Sequence, residues 1–337
     1  MRSIAFRSIA FTVLLTALTP PSSTRPVNGY SVKMLATEAD LVVAGRVTEI
    51  RTVGTTVLDD NGEKVPTTIR EARVDVDHFL KGGEAGEARR SFRYLEPSFP
   101  MAYDWPRANR YRIFFLKRVD GELRPVSPNY LSIVAAPAST PRGEDLVDRI
   151  LSEVAAVLQS PEATVEEKRG ALLVLRFNAG PIAIQALADA VLDPIPEVRL
   201  AAIAGSLQLK QSSAVEPALK ALLQPPPDVS TEALYNVAFA VGAFVDDPNT
   251  IPSLLKLQNS EDVIMRRAAT HALAMTKSPA VIPALKRALD DADSDTRWEA
   301  VYGLSILTND EVRPSQPEFR ADEERYLAHF RTLQTTR

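Results

Sequence analysis

Ala183-Ile-Gln-Ala-Leu187, Val215-Glu-Pro-Ala-Leu219, Thr250-Ile-Pro-Ser-Leu254 and Val281-Ile-Pro-Ala-Leu285 are versions of one phrase, and their last leucines stand 32, 35 and 31 residues apart. Self-similarity at a period between about 20 and 50 residues marks a stack of small units, none able to bury its apolar face alone. Reading each phrase as a second helix brings a set of first helices into register. Lys168, Arg199, Arg266 and Arg297 are each followed three residues later by Ala171, Ala202, Ala269 and Ala300. Seven residues after each base come Leu175, Ser206, Leu273 and Leu304. Positions i, i+3 and i+7 share a helical face, so these residues are expected to pack inward while the base begins the helix. The repeat around Tyr235 is degenerate in its first helix, and its longer loop, Asp246-Asp-Pro-Asn-Thr250, accounts for the 35-residue step. Pro317 to Leu333 predicts one terminal capping helix, with Phe319, Tyr326 and Phe330 on its buried side at i, i+7 and i+11.

Over roughly residues 161–310 these phrases resemble HEAT-like repeats of the short type found in phycobilin lyases. Their period of about 31 residues is shorter than the ~40–47 of ordinary HEAT units. The resemblance implies an α-solenoid over residues 142–312 followed by a cap over 313–337. It implies a binding surface and is nearly silent on activity.

The preceding residues, 31–136, read as strands. Leu41 to Val53 opens with an apolar run and then alternates, and Asp59-Asp-Asn-Gly62 is a hairpin turn because Asn-Gly accepts the positive φ of a type I′ turn. Thr67 to Leu80 follows and Lys81-Gly-Gly83 ends it; Arg90 to Leu95 and Tyr111 to Lys117 are further strands, and Asp120-Gly121 turns the last into Leu123 to Val126. Five short strands joined by turns predict a closed Greek-key barrel, which leaves no exposed edge. The phrases Glu38 to Val47, Asp77-His-Phe-Leu-Lys-Gly82, Tyr94-Leu-Glu-Pro-Ser98 and Arg110 to Leu116 resemble the netrin-like barrel, an OB-fold that includes the inhibitory domain of tissue inhibitors of metalloproteinases. In that family an N-terminal cysteine chelates the protease zinc and disulfides hold the wedge. This chain has no cysteine, so the resemblance implies the barrel without the inhibitory chemistry. The expected fold class is α+β multidomain: a small OB-like Greek-key β-barrel over residues 30–137, then the α-solenoid.

The chain's 337 residues accommodate about two domains. Arg2 and Arg7 precede the apolar run Ile9 to Leu18, which gives way to Thr19-Pro-Pro-Ser-Ser23, the pattern of a secretory signal over residues 1–28. That run is shorter than the ~20 residues that span a bilayer. The absence of cysteine excludes disulfides, thiolate metal sites, cysteine nucleophiles and a lipoprotein anchor. Export without disulfides fits a bacterial periplasmic or secreted protein. Residues 30–140 carry 16 basic and 15 acidic side chains, and residues 141–337 carry 20 and 28, so no basic stripe of the kind that binds nucleic acid is present.

The search for chemistry is short. His78 follows Asp75 and Asp77, but strand alternation is expected to send it to the face opposite both carboxylates. His271 falls in a repeat's first helix and His329 in the cap. Asp291-x-Asp293-x-Asp295 has the first three positions of a calcium loop, but Thr296 and Tyr302 stand where glycine and glutamate are required. The expected role of these carboxylates is to cap the next helix. No phosphate loop, nucleophile elbow or zincin motif occurs, so no enzyme, metal or cofactor is expected.

Two surfaces remain. Lys220, Lys256, Lys286 and Arg287 follow the ladder leucines at solvent-leaning positions, and second helices are expected to line the concave face, so these residues predict a basic track. The stretch Glu96 to Trp105, with Phe99 and Tyr103, is an aromatic, proline-rich loop preorganised for docking. The functional expectation is an exported, non-catalytic scaffold that binds a protein or an anionic polymer. The alternatives are a protease inhibitor or regulator acting through the barrel loops, and a chromophore lyase or chaperone by repeat analogy.

Overall fold

The computed structural model describes residues 31–333 apart from 61–62, 85, 99–105, 128–129, 139–142, 245–246 and 248. The expected signal segment and the Asn61-Gly62 turn lie outside the described residues. The chain divides into two units, Met1–Ile133 and Val134–Arg337.

The first unit opens with helix α1 (Val32–Glu38), where strand had been expected. Ser31 caps it by accepting from the Met34 amide at 3.2 Å, and Val32, Leu35 and Ala36 are buried at helical spacing. The strands are β1 (Leu41–Asp60), β2 (Glu63–Lys81), β3 (Arg89–Pro97), β4 (Tyr111–Val119), β5 (Glu122–Pro125) and β6 (Ile133–Val134). They form one antiparallel sheet in the order β3-β2-β1-β4-β5, with β6 beside β4. Asp120 and Gly121 join β4 to β5 with φ of 52° and 81°, the two positive values of a type I′ turn.

The sheet does not close into a barrel. Its end strands β3 and β5 approach, and Arg93 reaches Glu122 at 2.7 Å, but no ladder joins them. The reason lies in strand length. β1 pairs with β2 along its whole course, from Val42↔Lys81 to Asp60↔Glu63, but with β4 only from Leu41 to Arg46. The rest of the long hairpin extends past the sheet. The core, with Val43, Val47, Val74, Phe92, Phe114 and Leu116, sits under the shared part.

The second unit is a helical stack. Helix α2 (Leu146–Gln159) leads, and four pairs follow: α3 (Val165–Arg176) with α4 (Pro181–Ala190), α5 (Pro196–Gln208) with α6 (Val215–Leu223), α7 (Thr231–Val241) with α8 (Thr250–Leu257), and α9 (Val263–Met275) with α10 (Ile282–Ala288). The last first helix is α11 (Ser294–Leu307). The prolines of the repeated phrase, Pro217, Pro252 and Pro283, fall in the first turns of α6, α8 and α10, where a missing N–H costs nothing. All four ladder leucines are buried, as are the inward alanines and the residues four positions beyond them.

The terminal cap is two helices rather than one, α12 (Gln316–Ala321) and α13 (Glu323–Thr332). Asp322, at φ −147° and ψ 55°, breaks them apart. Phe319 and Phe330 are nevertheless fully buried, with Tyr326 packed partly against the same cluster.

Neighbouring first helices pack against one another all along the row α3-α5-α7-α9-α11, while among the second helices α6 packs less extensively against α8. Glycines permit the approach. A Cβ on Gly242 would stand 2.6 Å from the Ala272 carbonyl oxygen, and one on Gly303 would stand 2.5 Å from the Ala274 Cβ.

Candidate functional site

The first helices are tied to one another by charges as well as by packing. The bases that begin them reach the next repeat: Lys168 pairs with Asp193 at 3.1 Å, Arg266 with Asp291 at 2.8 Å, and Arg297 with Glu323. Arg199, Arg266 and Arg297 also donate to the carbonyl oxygens of Asp193, Ser260 and Asp291, six residues earlier in each case. Each arginine thereby ties down the turn before its own helix.

The aspartate motif does what its spacing implied. Asp293 caps α11, its carboxylate accepting from the Thr296 amide at 2.8 Å, and Asp291 accepts from the Asp293 amide at 2.9 Å. Both also hold arginines of α9, and Arg267 lies 3.1 Å from Asp293 and 2.8 Å from Asp295. Burial opposes ionisation of Asp291, but hydrogen bonds from Arg266 and from the Asp293 amide outweigh it and hold the carboxyl below its ordinary range. Asp293 is held low in the same way by Thr296 and Arg267, and Glu323 by Arg297 and Ser294, each against burial.

A pH dependence follows. Depressed carboxyl pKa values give stability that is present above the unfolded-state values of about 3.9–4.3 and is lost as pH falls through the lower folded values. Urea midpoints of the helical unit should therefore fall steeply below about pH 4. Asp293→Asn retains a capping side chain but cannot titrate, so its acid limb should be shallower; an unchanged slope would contradict this assignment.

A second set of side chains on three first helices lies at the margin of the core, with Tyr235 and Trp298 packed against it. They are Tyr235 and Phe239 on α7, Arg267 and His271 on α9, and Trp298 and Tyr302 on α11. Each pair is spaced i, i+4 and so shares a helix face. All six are half-buried. The Phe239 and His271 rings stack with centroids 4.7 Å apart, and Trp298 stacks on Tyr302 at 5.7 Å. His271 Nδ1 lies 2.7 Å from Glu299, which is itself buried. Burial pushes the Tyr235 hydroxyl up to about 12, helped by the nearby Glu299 charge and opposed by Arg267. The result is a half-buried, largely aromatic stripe over three first helices, with Arg267 and His271 already paired to carboxylates across the row. Such a surface offers flat, preorganised area for stacking and burial at low entropic cost.

Residues 217–305 match the family model for HEAT repeats. The matched stretch runs from α6 into α11 and contains the whole aromatic stripe. Comparison with curated proteins gives no match. No group of three or more His, Asp or Glu side chains is arranged to hold a metal ion among the described residues. None of their helices is long and apolar enough to cross a membrane.

Of the predicted basic residues, Lys220, Lys256 and Arg287 are exposed on the successive second helices α6, α8 and α10. Lys286 is half-buried instead of solvent-leaning, and its Nζ donates to the Leu333 carbonyl at 2.5 Å, which fastens the end of the cap. In the first unit Glu96 is held by Arg70 at 2.5 Å across the β2–β3 pair, while Phe99, Tyr103 and Trp105 lie outside the described residues.

His78 departs from the expected alternation. The β1–β2 ladder steps from Ala44↔His78 to Gly45↔Val76, leaving Asp77 as a bulged residue, and His78 Nδ1 sits 2.9 Å from the Asp77 carboxylate. The alignment that revealed the leading bases also sets Arg267 with Trp298 and His271 with Tyr302, but the degenerate repeat around Tyr235 left Tyr235 and Phe239 outside it. Lysine and arginine drew the sequence reading to the second helices.

Proposed function

We propose that this chain is an exported, non-catalytic scaffold that binds another protein through its HEAT repeats, with the first-helix stripe as the contact surface. The observation that carries the reading is the stripe itself: half-buried tyrosine, phenylalanine, histidine and tryptophan sustained over three consecutive units of a closely packed row. Aromatic side chains supply most of the energy at protein interfaces, and charges already satisfied within the stack can be covered at little desolvation cost. The non-catalytic reading is supported by the sequence, which carries no phosphate loop, nucleophile elbow or zincin motif. Export is supported by the signal-like residues 1–28 and the absence of cysteine. The netrin-like reading of the first unit is supported by the position of β1 between β2 and β4, and we attach no inhibitory activity to it.

The test is affinity capture from a cell-envelope extract, comparing the natural chain with a Tyr235→Ala, His271→Ala, Tyr302→Ala variant. Loss of central aromatic anchors costs about 2 kcal/mol or more, so binding of the captured protein should fall at least about thirty-fold. A Lys220→Glu, Lys256→Glu, Arg287→Glu variant should bind as the natural chain does. Undiminished binding by the first variant, or loss by the second, would move the interface to the second helices.

A further inference from the structure

Arg176 breaks the rule of its own repeat. Eight residues beyond the leading base, the later first helices carry Leu207, Ala274 and Ser305, all buried in the row. Helix α3 puts an arginine there, and a Cβ on Gly205 of α5 would stand 3.3 Å from the Arg176 Cβ. The side chain is half-buried, its Nε is sealed without an acceptor, and its guanidinium lies 4.9 Å from the centre of the Phe177 ring. Burial pushes the guanidinium below its ordinary pKa, with no carboxylate to offset the effect. Arg169, seven residues earlier and so on the same side of α3, is exposed and has no acceptor among the described residues. From α5 onward, by contrast, every described arginine holds a carboxylate or a carbonyl oxygen. Acidic side chains outnumber basic ones in this half of the chain, so the two bare arginines do not reflect a shortage of partners. Beside them Leu173 and Phe177 are exposed by 39% and 46%.

We propose that this face of α3 is a second docking surface, which takes an acidic segment of a protein partner through Arg169, Leu173 and Arg176. A half-buried charge without a partner costs stability that a leucine, as in α5, would not. Such a departure from the repeat's pattern is expected where a residue is kept for binding. The Phe177 ring holds the guanidinium in place, and a planar guanidinium accepts a carboxylate in two-point geometry. Seven helical residues rise about 10 Å, so the fitting ligand presents two carboxylates about 10 Å apart with an apolar side chain between them. Exposed Leu173 and Phe177 favour a protein segment over a polyanion, whose backbone has no apolar group to cover them. The surface is separate from the stripe. Counted from the leading base, Arg169 and Leu173 stand where Arg267 and His271 stand in α9, but α5 intervenes with buried Leu200 and Ala204.

The test uses the full chain and two synthetic alanine-rich helical peptides, one carrying Glu-x-x-x-Leu-x-x-Glu and its twin with glutamine at both acidic positions. Titration followed by fluorescence anisotropy should show the glutamate peptide binding at least about tenfold more tightly than its twin, and less tightly as salt is raised. Arg169→Gln, Arg176→Gln should abolish that preference. The Tyr235→Ala, His271→Ala, Tyr302→Ala variant should keep it, so failure of this surface and failure of the stripe are read separately. Arg176→Leu should weaken the glutamate peptide about tenfold while raising the urea midpoint, a combination that a purely structural arginine would not give. No binding of the glutamate peptide, equal binding of the two peptides, undiminished preference in the double glutamine variant, or a midpoint lowered by Arg176→Leu would each overturn the proposal. So would inorganic polyphosphate that displaces the peptide and itself depends on both arginines, which would make a polyanion the ligand.

Discussion

Leu285→Ala should lower the stability of the helical unit by about 2–5 kcal/mol, one of the largest effects available to a single substitution in this chain. Leu285 is fully buried in the cluster that joins α9, α10 and α11 to the cap. Removing its isobutyl group takes away its transfer free energy and leaves a cavity that rigid helices close only in part. In a unit of this size each kcal/mol moves the melting point by roughly 2–4 °C, so a fall of about 5–15 °C is expected in a thermal melt followed by circular dichroism. The loss should also be localised. In a stack, each repeat is stabilised mainly by its neighbours, so hydrogen exchange should accelerate first in α10 to α13. Lys256→Ala, on an exposed face of α8, should stay within about ±0.5 kcal/mol. If Leu285→Ala were equally mild, the ladder leucines would not be the core of the repeats.

The ladder was legible because burial of a helix face repeats at a fixed spacing, and a stack must repeat it in every unit. The strands were legible for a similar reason, and the Asp120-Gly121 turn could be named because few residues accept two positive φ values. What escaped were features decided by partners distant in sequence or by backbone shape. The carboxylates that hold Lys168 and Arg266 lie 25 residues away, and the one that holds His271 lies 28 residues away. Helix α1 escaped because Val32-Lys-Met-Leu35 is as strand-like in composition as helical, and only the Ser31 cap distinguishes it. The bulge at Asp77 is set by close pairing with β1 and reversed the predicted face of His78. The ends of the first helices carry no glycine signal either: Lys210, Lys277 and Asn309 take the left-handed conformation there, with φ of 62°, 54° and 51°. Barrel closure failed because residue alternation says which face is buried and not how far two strands run together.

Gly303→Ala should destabilise the protein, against the usual sign for a glycine inside a helix. In an ordinary exposed helix this change is worth roughly 0.5–1 kcal/mol of added stability, because alanine loses less backbone entropy on folding. At position 303 the new methyl group would stand 2.5 Å from the Ala274 Cβ and 3.0 Å from the Leu285 Cδ1. The leucine tip can rotate, but the Ala274 Cβ is fixed to α9, so the two helices must move apart. Overpacking of this kind costs about 1–3 kcal/mol, which exceeds the entropic gain. Gly242→Ala meets the Ala272 backbone oxygen at 2.6 Å and should behave alike. Gly205→Ala meets chiefly the tip of Leu187, at 2.9 Å, and should be near neutral. Urea denaturation of the three variants therefore tests the spacing of the first-helix row position by position, and stabilisation by all three would mean that the row is looser than described. The consequence reaches the stripe. Moving α11 away from α9 pulls Asp295 from Arg267 and Glu299 from His271, so Gly303→Ala should weaken partner binding even under conditions where the variant remains folded, while Gly205→Ala should leave it intact.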